Sequence, residues 1–291
     1  MEAIYRLTGH RISAAYTAAK LLWVKEHQPE IYRQTYKVLQ AKDYAVFLLT
    51  GTFATDYSDA SGTQVFDLEK RHWSADVLRA LGIRPSLFPD AYPPTTVVGT
   101  LTDEAAAATG LVAGTPVVIG GGDGACATVG AGSVHEGDAY NYIGSSSWIA
   151  LTTHRPIFDP QRRTFTFAHL DSELHFPVGT MQAAGGARDW LLRILGDEDN
   201  ELTDAAAEVP PGSQGLLFLP YLLGERSPHW NPRARAAFVG LAMPHGRAEL
   251  ARAVLEGVAF NLKLILLFQQ TYAALEPIYE RLATLGEVAG G

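Results

Sequence analysis

The run Gly120–Gly124 places a single carboxylate, Asp123, between glycines directly after an apolar stretch. Glycines let the backbone approach a ligand closely, and a carboxylate at the end of a strand is exposed to that ligand. Such an aspartate can accept the proton of a hydroxyl nucleophile, as in phosphoryl transfer. An ordinary turn aspartate fits the same residues, so the pattern alone leaves both interpretations open.

Two further glycine-containing turns could hold an anion. Gly144–Ser147 offers consecutive backbone N–H groups and hydroxyls after a predicted strand, a composition that suits an oxyanion or phosphate site. Gly185 and Gly186 precede a predicted helix and allow either close approach of a nucleotide or close packing of two elements. Serine turns are also common without any ligand, so the turns alone decide neither case.

Several other kinds of site are excluded by the motifs that the sequence lacks. There is no G-x-x-x-x-G-K-[ST] for a P-loop, no H-E-x-x-H for a zinc site and no G-x-S-x-G for a hydrolase. The single cysteine, Cys126, follows the glycine run on a predicted helix of small residues. We predict a buried structural thiol there rather than a nucleophile.

The elements that must position these residues are predicted from hydrophobic patterning. Residues 115–120 predict a β-branched strand, and residues 125–132 predict a helix of small residues packed on a sheet. Residues 139–143 and 148–152 predict a hairpin around the serine turn. A long helix from Glu249 would place its apolar residues on one face at i, i+4 spacing. Strands and helices intermix, which predicts an α/β or α+β class.

Two polar segments are predicted to be structural rather than chemical. Thr55–Thr63 consists of small polar residues and is interpreted as an ordered loop outside the core. Glu225 and Arg226 follow a predicted strand, and a buried ion pair is the favoured interpretation over direct contact with a ligand.

Composition and charge restrict the class of protein. The chain has 291 residues, 47% hydrophobic and 19% charged, which is typical of a folded protein of about two domains. Its net charge of −8 argues against a nucleic-acid partner, because phosphate-backbone binding uses a basic surface. No stretch approaches the ~20 apolar residues of a membrane span. We therefore expect a cytoplasmic protein with neither a membrane nor a nucleic-acid partner.

Two separated segments resemble the signatures of the FGGY carbohydrate kinases. The first is Tyr16–His27, and the second lies within Ala236–Glu256. They occur in the order found in that family, and the resemblance covers essentially the whole chain. Within the family, the chain is most similar to the branch that acts on xylulose. This similarity is carried by two segments, Thr55–Thr63 with the following Trp73, and Phe218–His229.

The resemblance implies an α/β, actin-like ATPase fold of two ribonuclease-H-like domains. Residues 1–134 would belong to the sugar-binding domain and residues 135–291 to the nucleotide-binding domain. The implied reaction transfers phosphate from ATP, with Mg²⁺, to a sugar hydroxyl. D-xylulose is the favoured substrate, and gluconate and ribulose are the alternatives.

The same resemblance assigns residues to the site. Asp123 would be the catalytic base and would contact the sugar together with Gly124. The residues expected at the nucleotide are Gly144, Ser145, Ser146, Gly185 and Asp189. No metal ligand is assigned.

Three positions depart from the family pattern. Ser145 replaces a threonine and keeps its hydroxyl, whereas Gly124 replaces an asparagine and removes a hydrogen bond to the sugar. Ala15 stands where glycerol kinases have an aromatic residue that packs on the polyol, so glycerol is not expected as a substrate.

The resemblance also implies that both domains are incomplete. Family members begin with a strand and a D-x-G-T turn, which the first residues here do not supply, and residues 288–291 would only open the adenine-binding segment. A truncated chain that binds ligand without catalysis is therefore the alternative. A sheet edge exposed by truncation would favour a homodimer.

Overall fold

The computed structural model describes the backbone of residues 2–197 and 201–288 and the side chains of residues 2–197 and 201–267. The chain divides into two compact units. Unit 1 comprises Met1–Asp138 and Leu151–Pro177, and unit 2 comprises Ala139–Ala150 and Val178–Gly291. The boundary between residues 134 and 135 stays a prediction. The segment 288–291, interpreted above as the start of an adenine-binding region, lies outside the described residues apart from the backbone of Val288.

Helices and strands are intermixed along the chain, as the sequence predicts. The helices are α1 (Glu2–Thr8), α2 (Thr17–His27), α3 (Pro29–Gln34), α4 (Ala41–Thr50), α5 (Tyr57–Ser61), α6 (Ala75–Leu81), α7 (Asp103–Thr109), α8 (Asp123–Gly130), α9 (Gly185–Leu195), α10 (Glu201–Glu208) and α11 (Arg247–Val288). The strands are β1 (Ala54–Asp56), β2 (Phe66–Asp67), β3 (His72–Trp73), β4 (Asp90–Tyr92), β5 (Val97–Thr100), β6 (Pro116–Val118), β7 (Ala139–Ile143), β8 (Ser147–Leu151), β9 (Phe165–Ala168), β10 (His175–Met181), β11 (Leu217–Leu219) and β12 (Ala237–Val239). Among the described residues, no helix is both long enough and apolar enough to cross a membrane.

Unit 1 contains the predicted strand, glycine turn and helix. Strand β6 pairs antiparallel with β5, with Val118 opposite Val97, and the chain then turns through residues 119–122 into α8. The small residues Ala125 and Thr128 are buried on the inner side of α8. The prediction is confirmed, although the helix begins at Asp123 itself rather than two residues later.

The core of unit 1 lies between its helices and short strands. Its main buried cluster joins residues of α2, α3 and α6 with Val65, just before β2, and with the chain that follows α6. The members are Ala18, Leu21, Tyr32, Val65, Val77, Leu78, Ile83, Leu87 and Phe88. This cluster supports α2 and the chain around β2, and it leaves the polar segment Thr55–Thr63 to be stabilised in another way.

That polar segment is buried, so its interpretation as a loop outside the core is wrong. It forms β1 and α5, and β1 pairs in parallel with β4. Asp56 and Ser61 are both 0% exposed. The segment can be buried because its polar atoms bond to one another: Asp56 caps α5 by accepting from the backbone N–H of Ser58, and the Ser61 hydroxyl donates to the Ser58 carbonyl.

Unit 2 contains the predicted hairpin and the predicted long helix. Strands β7 and β8 are neighbours, and β8 also pairs antiparallel with β10, with Ala150 opposite Val178. On α11, Val254 is buried, and Leu250 and Val258 pack on the same cluster. The buried members of that cluster are Ala183, Ala187, Leu191, Leu192, Leu202, Ala206, Leu216, Phe218, Ala251, Ala253 and Val254. Both predictions are confirmed.

Cys126 is exposed, so the prediction of a buried thiol is wrong. It lies on the outer side of α8, because the helical period directs its neighbours Ala125 and Thr128 inward instead. The Cys126 Sγ donates to the carbonyl of Gly121 at 3.4 Å. Small residues on a helix therefore indicate close packing of one face only.

Candidate active site

Asp123 is the first residue of α8, and its side chain is exposed. Its Oδ1 accepts a hydrogen bond from the backbone N–H of Gly124 at 2.7 Å. A Cβ on Gly124 would lie 3.9 Å from the ring of Phe176, an ordinary contact, so packing does not exclude a methyl group at this position. The carboxylate is thus oriented by the backbone N–H of Gly124 and is accessible, as a base must be to reach an incoming hydroxyl.

The glycines before Asp123 meet two different requirements. Gly120 has a φ of +70°, in the left-handed region that glycine adopts without strain. A Cβ on Gly121 would overlap the side chain of Leu170, and one on Gly122 would lie 2.7 Å from Oδ1 of Asp59. The turn is therefore pressed closely against its neighbours in unit 1, which fixes the point where α8 begins.

A buried ionic cluster lies next to this turn, and the sequence analysis missed it. The Nζ of Lys42 is 2.7 Å from Oδ1 of Asp43, 3.1 Å from Oδ1 of Asp56 and 3.6 Å from Oδ2 of Asp59. Asp43 and Asp56 are 1% and 0% exposed. Three carboxylates thus share one ammonium group in a largely dry environment, an arrangement that proteins keep only when the charges are paired.

The electrostatics of this cluster set the proton affinity of its most accessible member. Burial raises the pKa of Asp59 to about 6, although the nearby Lys42 lowers it. Burial alone would lower the pKa of Lys42, but the carboxylates of Asp56 and Asp43 outweigh burial and raise it. Lys42 therefore stays charged, and the raised pKa lets the Asp59 carboxyl group take up a proton as the pH falls to about 6.

In unit 2, the serine turn and the start of α9 form one hydrogen-bonded unit. The carbonyl of Ser145 accepts from the backbone N–H groups of Ala184 and Gly186 at 2.8 and 3.0 Å, and the carbonyl of Gly144 accepts from Gly185 at 2.9 Å. A Cβ on Gly185 would lie 2.6 Å from that Gly144 oxygen. The glycines thus permit close packing of helix and turn, one of the two interpretations that the sequence left open.

The remaining residues predicted at the nucleotide lie around this unit. Ser145 is exposed and Ser146 half-buried, so both hydroxyl-bearing residues are near the surface of the turn. Asp189 is one helical turn beyond Gly185, and its Oδ1 accepts from Arg188 at 3.0 Å with 67% of its side chain exposed. The structure places Gly185 against the serine turn, whereas Asp189 pairs with the neighbouring Arg188. Contact of Gly144, Ser145, Ser146, Gly185 or Asp189 with a nucleotide stays a prediction.

Replacing Gly185 by alanine is expected to lower the free energy of unfolding by about 1–2 kcal/mol. Alanine favours a helix by up to ~1 kcal/mol over glycine, but overlap with a backbone oxygen that cannot move freely costs more. Urea unfolding measures the difference. Gly130→Ala is the matched control, because Gly130 is also helical and its Cβ would meet nothing within 4 Å. A Gly185→Ala protein as stable as Gly130→Ala would contradict the close packing.

Glu225 is a second buried group, and its burial agrees with the sequence-based prediction, although its hydrogen-bond partners do not. Its carboxylate is 3% exposed, but it is held by amides rather than by the predicted ion pair with the Arg226 guanidinium. Oε1 accepts from the backbone N–H groups of Gln182 at 3.1 Å and Arg226 at 2.7 Å, and Oε2 accepts from Nδ2 of Asn261 on α11 at 3.0 Å. Glu225 thus ties the chain just before α9 to α11.

This environment leaves Glu225 only weakly acidic. Burial raises its pKa to about 7, even though the hydrogen bonds from Arg226, Gln182 and Asn261 favour the ionised form. Among the described residues, the buried Oδ1 of Asn261 has no hydrogen-bond partner. Since the two ends of an asparagine amide can exchange places, a protonated Glu225 could donate to this oxygen.

Glu225→Gln is therefore expected to stabilise the protein by roughly 1–3 kcal/mol at pH 8. A carboxyl group whose folded pKa is about 7, above its ordinary 4.5, contributes stability below pH 4.5 and loses it as the pH rises through 7. Glutamine stays neutral throughout, accepts from both backbone N–H groups through Oε1, and donates through Nε2 to a turned Asn261 amide. Urea unfolding between pH 4.5 and 8 checks this, with the exposed Glu208→Gln as control. A variant less stable than the wild type at pH 8 would refute it.

Comparison with known proteins defines the class to which this fold and site belong. Residues 1–130 match the N-terminal domain of the FGGY family of carbohydrate kinases, and residues 139–281 match the C-terminal domain of the same family. The chain belongs to the FGGY family of carbohydrate kinases. Its mixed α/β architecture is accordingly the actin-like ATPase fold of that family.

Individual relatives are similar over nearly the whole chain. The xylulose kinase of Escherichia coli K12 is 40% identical over 257 residues, which are 88% of this chain and 53% of that protein. The crystal structure of a xyloylose kinase from Brucella ovis has a TM-score of 0.88 at 32% identity and covers 93% of this chain and 56% of its own. A gluconate kinase from Lactobacillus acidophilus has a TM-score of 0.83 at 33% identity, covering 90% and 54%. The chain thus spans about half the length of the relatives it matches.

Proposed function

We propose that this chain carries the reaction centre of an ATP-dependent sugar kinase, with Asp123 as its base. The observation that carries the proposal is the placement of Asp123: exposed, first in α8, and presented by a glycine turn that packs too closely for side chains. Family membership supplies the reaction class, phosphorylation of a carbohydrate.

In the proposed reaction, Asp123 accepts the proton of a sugar hydroxyl as its oxygen bonds to the γ-phosphorus. The O–H bond breaks, a P–O bond forms to the sugar, and the bond between the γ-phosphorus and the β–γ bridging oxygen breaks to release ADP. The proton leaves Asp123 for water afterwards, which restores the carboxylate. Because Gly124 has no side chain, the sugar can approach the carboxylate closely at this position.

The nucleotide would be held in unit 2, by the turn Gly144–Ser146 together with Gly185 and Asp189. The turn is anchored to α9 through three backbone hydrogen bonds, which preorganises it for a phosphate group. In the described part of the chain, no group of three or more His, Cys, Asp or Glu side chains could hold a metal ion. We propose that Mg²⁺ would arrive on the phosphates of ATP, as it commonly does in kinases, and would neutralise part of their charge.

D-xylulose is the proposed substrate. Relatives named as xylulose kinases reach 40% identity to this chain, and gluconate kinase is similar at 33% identity, so gluconate is the first alternative and ribulose the second. Sugar and ATP, rather than a nucleic acid or a membrane, are the proposed partners. A homodimer stays a prediction.

Steady-state ADP formation by the 291-residue chain tests the proposal. The chain is incubated with ATP and Mg²⁺ and with D-xylulose, D-ribulose, D-gluconate, glycerol or no sugar. We expect ADP formation that depends on sugar and has the highest kcat/KM for D-xylulose. If a chain shown to be folded by circular dichroism forms no ADP with any sugar, it is a non-catalytic fragment. A higher kcat/KM for gluconate would retain the kinase and replace the substrate.

A further inference from the structure

We propose that Ser58 is a positioning residue for the reaction centre, because its hydroxyl links the buried ionic cluster to Gly122 and thereby fixes Asp123. The proposal rests on the role of Asp123 proposed above, and it extends the site to a segment, Thr55–Thr63, that the sequence assigned to a loop. Ser58 itself touches neither sugar nor nucleotide in this proposal and acts only through the backbone of the glycine turn.

The direction of each hydrogen bond follows from the chemistry of the partners. The Ser58 hydroxyl donates to Oδ2 of Asp56 at 2.5 Å and accepts from the backbone N–H of Gly122 at 2.9 Å. An ionised carboxylate can only accept, so the hydroxyl proton points to Asp56 and an oxygen lone pair points to Gly122. Ser58 is 5% exposed, and water does not easily substitute for it.

Lys42 contacts both Asp56, the acceptor of the Ser58 hydroxyl, and the glycine turn itself. Its Nζ lies 3.1 Å from Oδ1 of Asp56, whose other oxygen accepts from the Ser58 hydroxyl. It also donates to the carbonyl of Ile119 at 3.4 Å, at the point where the strand side of the glycine turn begins. One ammonium group thus connects to the turn at Ile119 directly and at Gly122 through Asp56 and Ser58.

Gly122 is consequently fixed from three sides. Its N–H is bound by Ser58, its carbonyl accepts from the backbone N–H of Cys126 at 2.9 Å, and the Asp59 carboxylate occupies the space where a Cβ would be. Asp123 is the next residue, and its backbone has little freedom once Gly122 cannot shift or rotate. A displacement of about 1 Å in a reacting group can cost about 100-fold in rate, so a fixed Gly122 matters for Asp123.

The test compares Ser58→Ala with Ser61→Ala. Ser61 is the matched control because it lies on the same helix, is 0% exposed and uses its hydroxyl for two hydrogen bonds, with the Ser58 carbonyl and the Ala168 N–H. Four quantities are measured on the full chain: the amide hydrogen exchange rate of Gly122 by NMR, the carboxyl ¹³C chemical shift of Asp123, kcat, and the KM values for D-xylulose and ATP. Ser58→Thr, which keeps the hydroxyl, is included as the conservative variant.

We expect Ser58→Ala to speed exchange of the Gly122 amide about tenfold, shift the Asp123 signal and lower kcat about 10- to 100-fold, with the KM for ATP unchanged. Ser61→Ala should leave the Gly122 exchange rate and the Asp123 signal as in the wild type, and Ser58→Thr should restore both. Unchanged Gly122 exchange in Ser58→Ala, or equal changes in both alanine variants, would overturn the proposal. So would an unchanged kcat in an active chain.

The two proposals can fail separately. If the wild type forms no ADP with any sugar, the proposed function fails, while the exchange rate and the chemical shift still decide whether Ser58 fixes Gly122 and Asp123. If Ser58→Ala does not fold, Ser58→Thr and Ser58→Cys supply the comparison, because the thiol is a weaker hydrogen-bonding group of similar shape. A Gly122 exchange rate in Ser58→Cys equal to the wild-type rate would then count against the link.

Discussion

Asp123→Asn is expected to lower the sugar-dependent kcat by about 100- to 10,000-fold, the usual contribution of a positioned general base. Asparagine has nearly the same shape as aspartate, and its side-chain oxygen can still accept from the Gly124 N–H. It cannot take up the hydroxyl proton, however, so only the chemical step should suffer. The measurement is kcat with D-xylulose and saturating ATP, together with the KM for each substrate.

The matched control for this variant is Asp76→Asn, because Asp76 is an exposed aspartate of the first turn of α6 that pairs with Arg79. We expect its kcat to equal that of the wild type. Retention of kcat within threefold in Asp123→Asn would remove Asp123 from the role of base, even if the chain proves to be a kinase. A large rise in the KM for sugar at unchanged kcat would instead assign Asp123 to substrate binding alone.

Lys42→Met is expected to lower the free energy of unfolding by about 3–5 kcal/mol at pH 8, the usual effect of removing one partner from a buried ion pair. Methionine has a similar length but no charge, so it leaves the carboxylates of Asp43 and Asp56 buried without their common cation. Double-jump or equilibrium urea unfolding gives the value. If the link to Gly122 is real, the variant also speeds exchange of the Gly122 amide.

The pH dependence separates this effect from a simple loss of packing. The pKa of Asp59 is raised to about 6 even in the presence of Lys42, above its ordinary 3.8, and it rises further without the cation. A carboxyl group with a raised folded pKa contributes stability at low pH that is lost as the pH increases. Lys42→Met should therefore be less destabilised at pH 5 than at pH 8. Equal losses at both pH values, or a loss no larger than that of Arg79→Met at the exposed pair with Asp76, would contradict the buried-charge argument.

The sequence predicted the local elements of the site well, because their signals are local. A β-branched run, four glycines and a stretch of small residues suffice to predict β6, the turn and α8, and the serine turn between two alternating runs predicts the hairpin of β7 and β8. The apolar face of α11 follows from i, i+4 spacing. The resemblance to the family rests on two segments that match its signatures in the order found there, and the family is confirmed by the matches to both of its domains.

Burial of polar residues is where the sequence-based interpretations were wrong. Thr55–Thr63 was interpreted as a loop because its composition is polar, yet Asp56 and Ser61 are fully buried. The converse assumption, that a cysteine on a helix of small residues is buried, led to the prediction of a buried Cys126. This residue is exposed. Composition reports what a side chain costs to bury, but not whether a partner elsewhere in the chain offsets that cost.

The resemblance to the family, the α/β class, the position of Asp123 after a glycine turn and the strands on both sides of the serine turn could all be predicted from the residues alone. Other contacts become visible only in the folded chain: Lys42 lies against Asp56 and Asp59, Ser58 reaches Gly122 across 64 positions of sequence, and the Glu225 carboxylate is bound by amide N–H groups, including that of Arg226, instead of by the Arg226 guanidinium. The physical reason is range. Helix, strand and turn preferences act between residues a few positions apart, whereas buried charges and hydrogen bonds join partners that become neighbours only when the chain has folded.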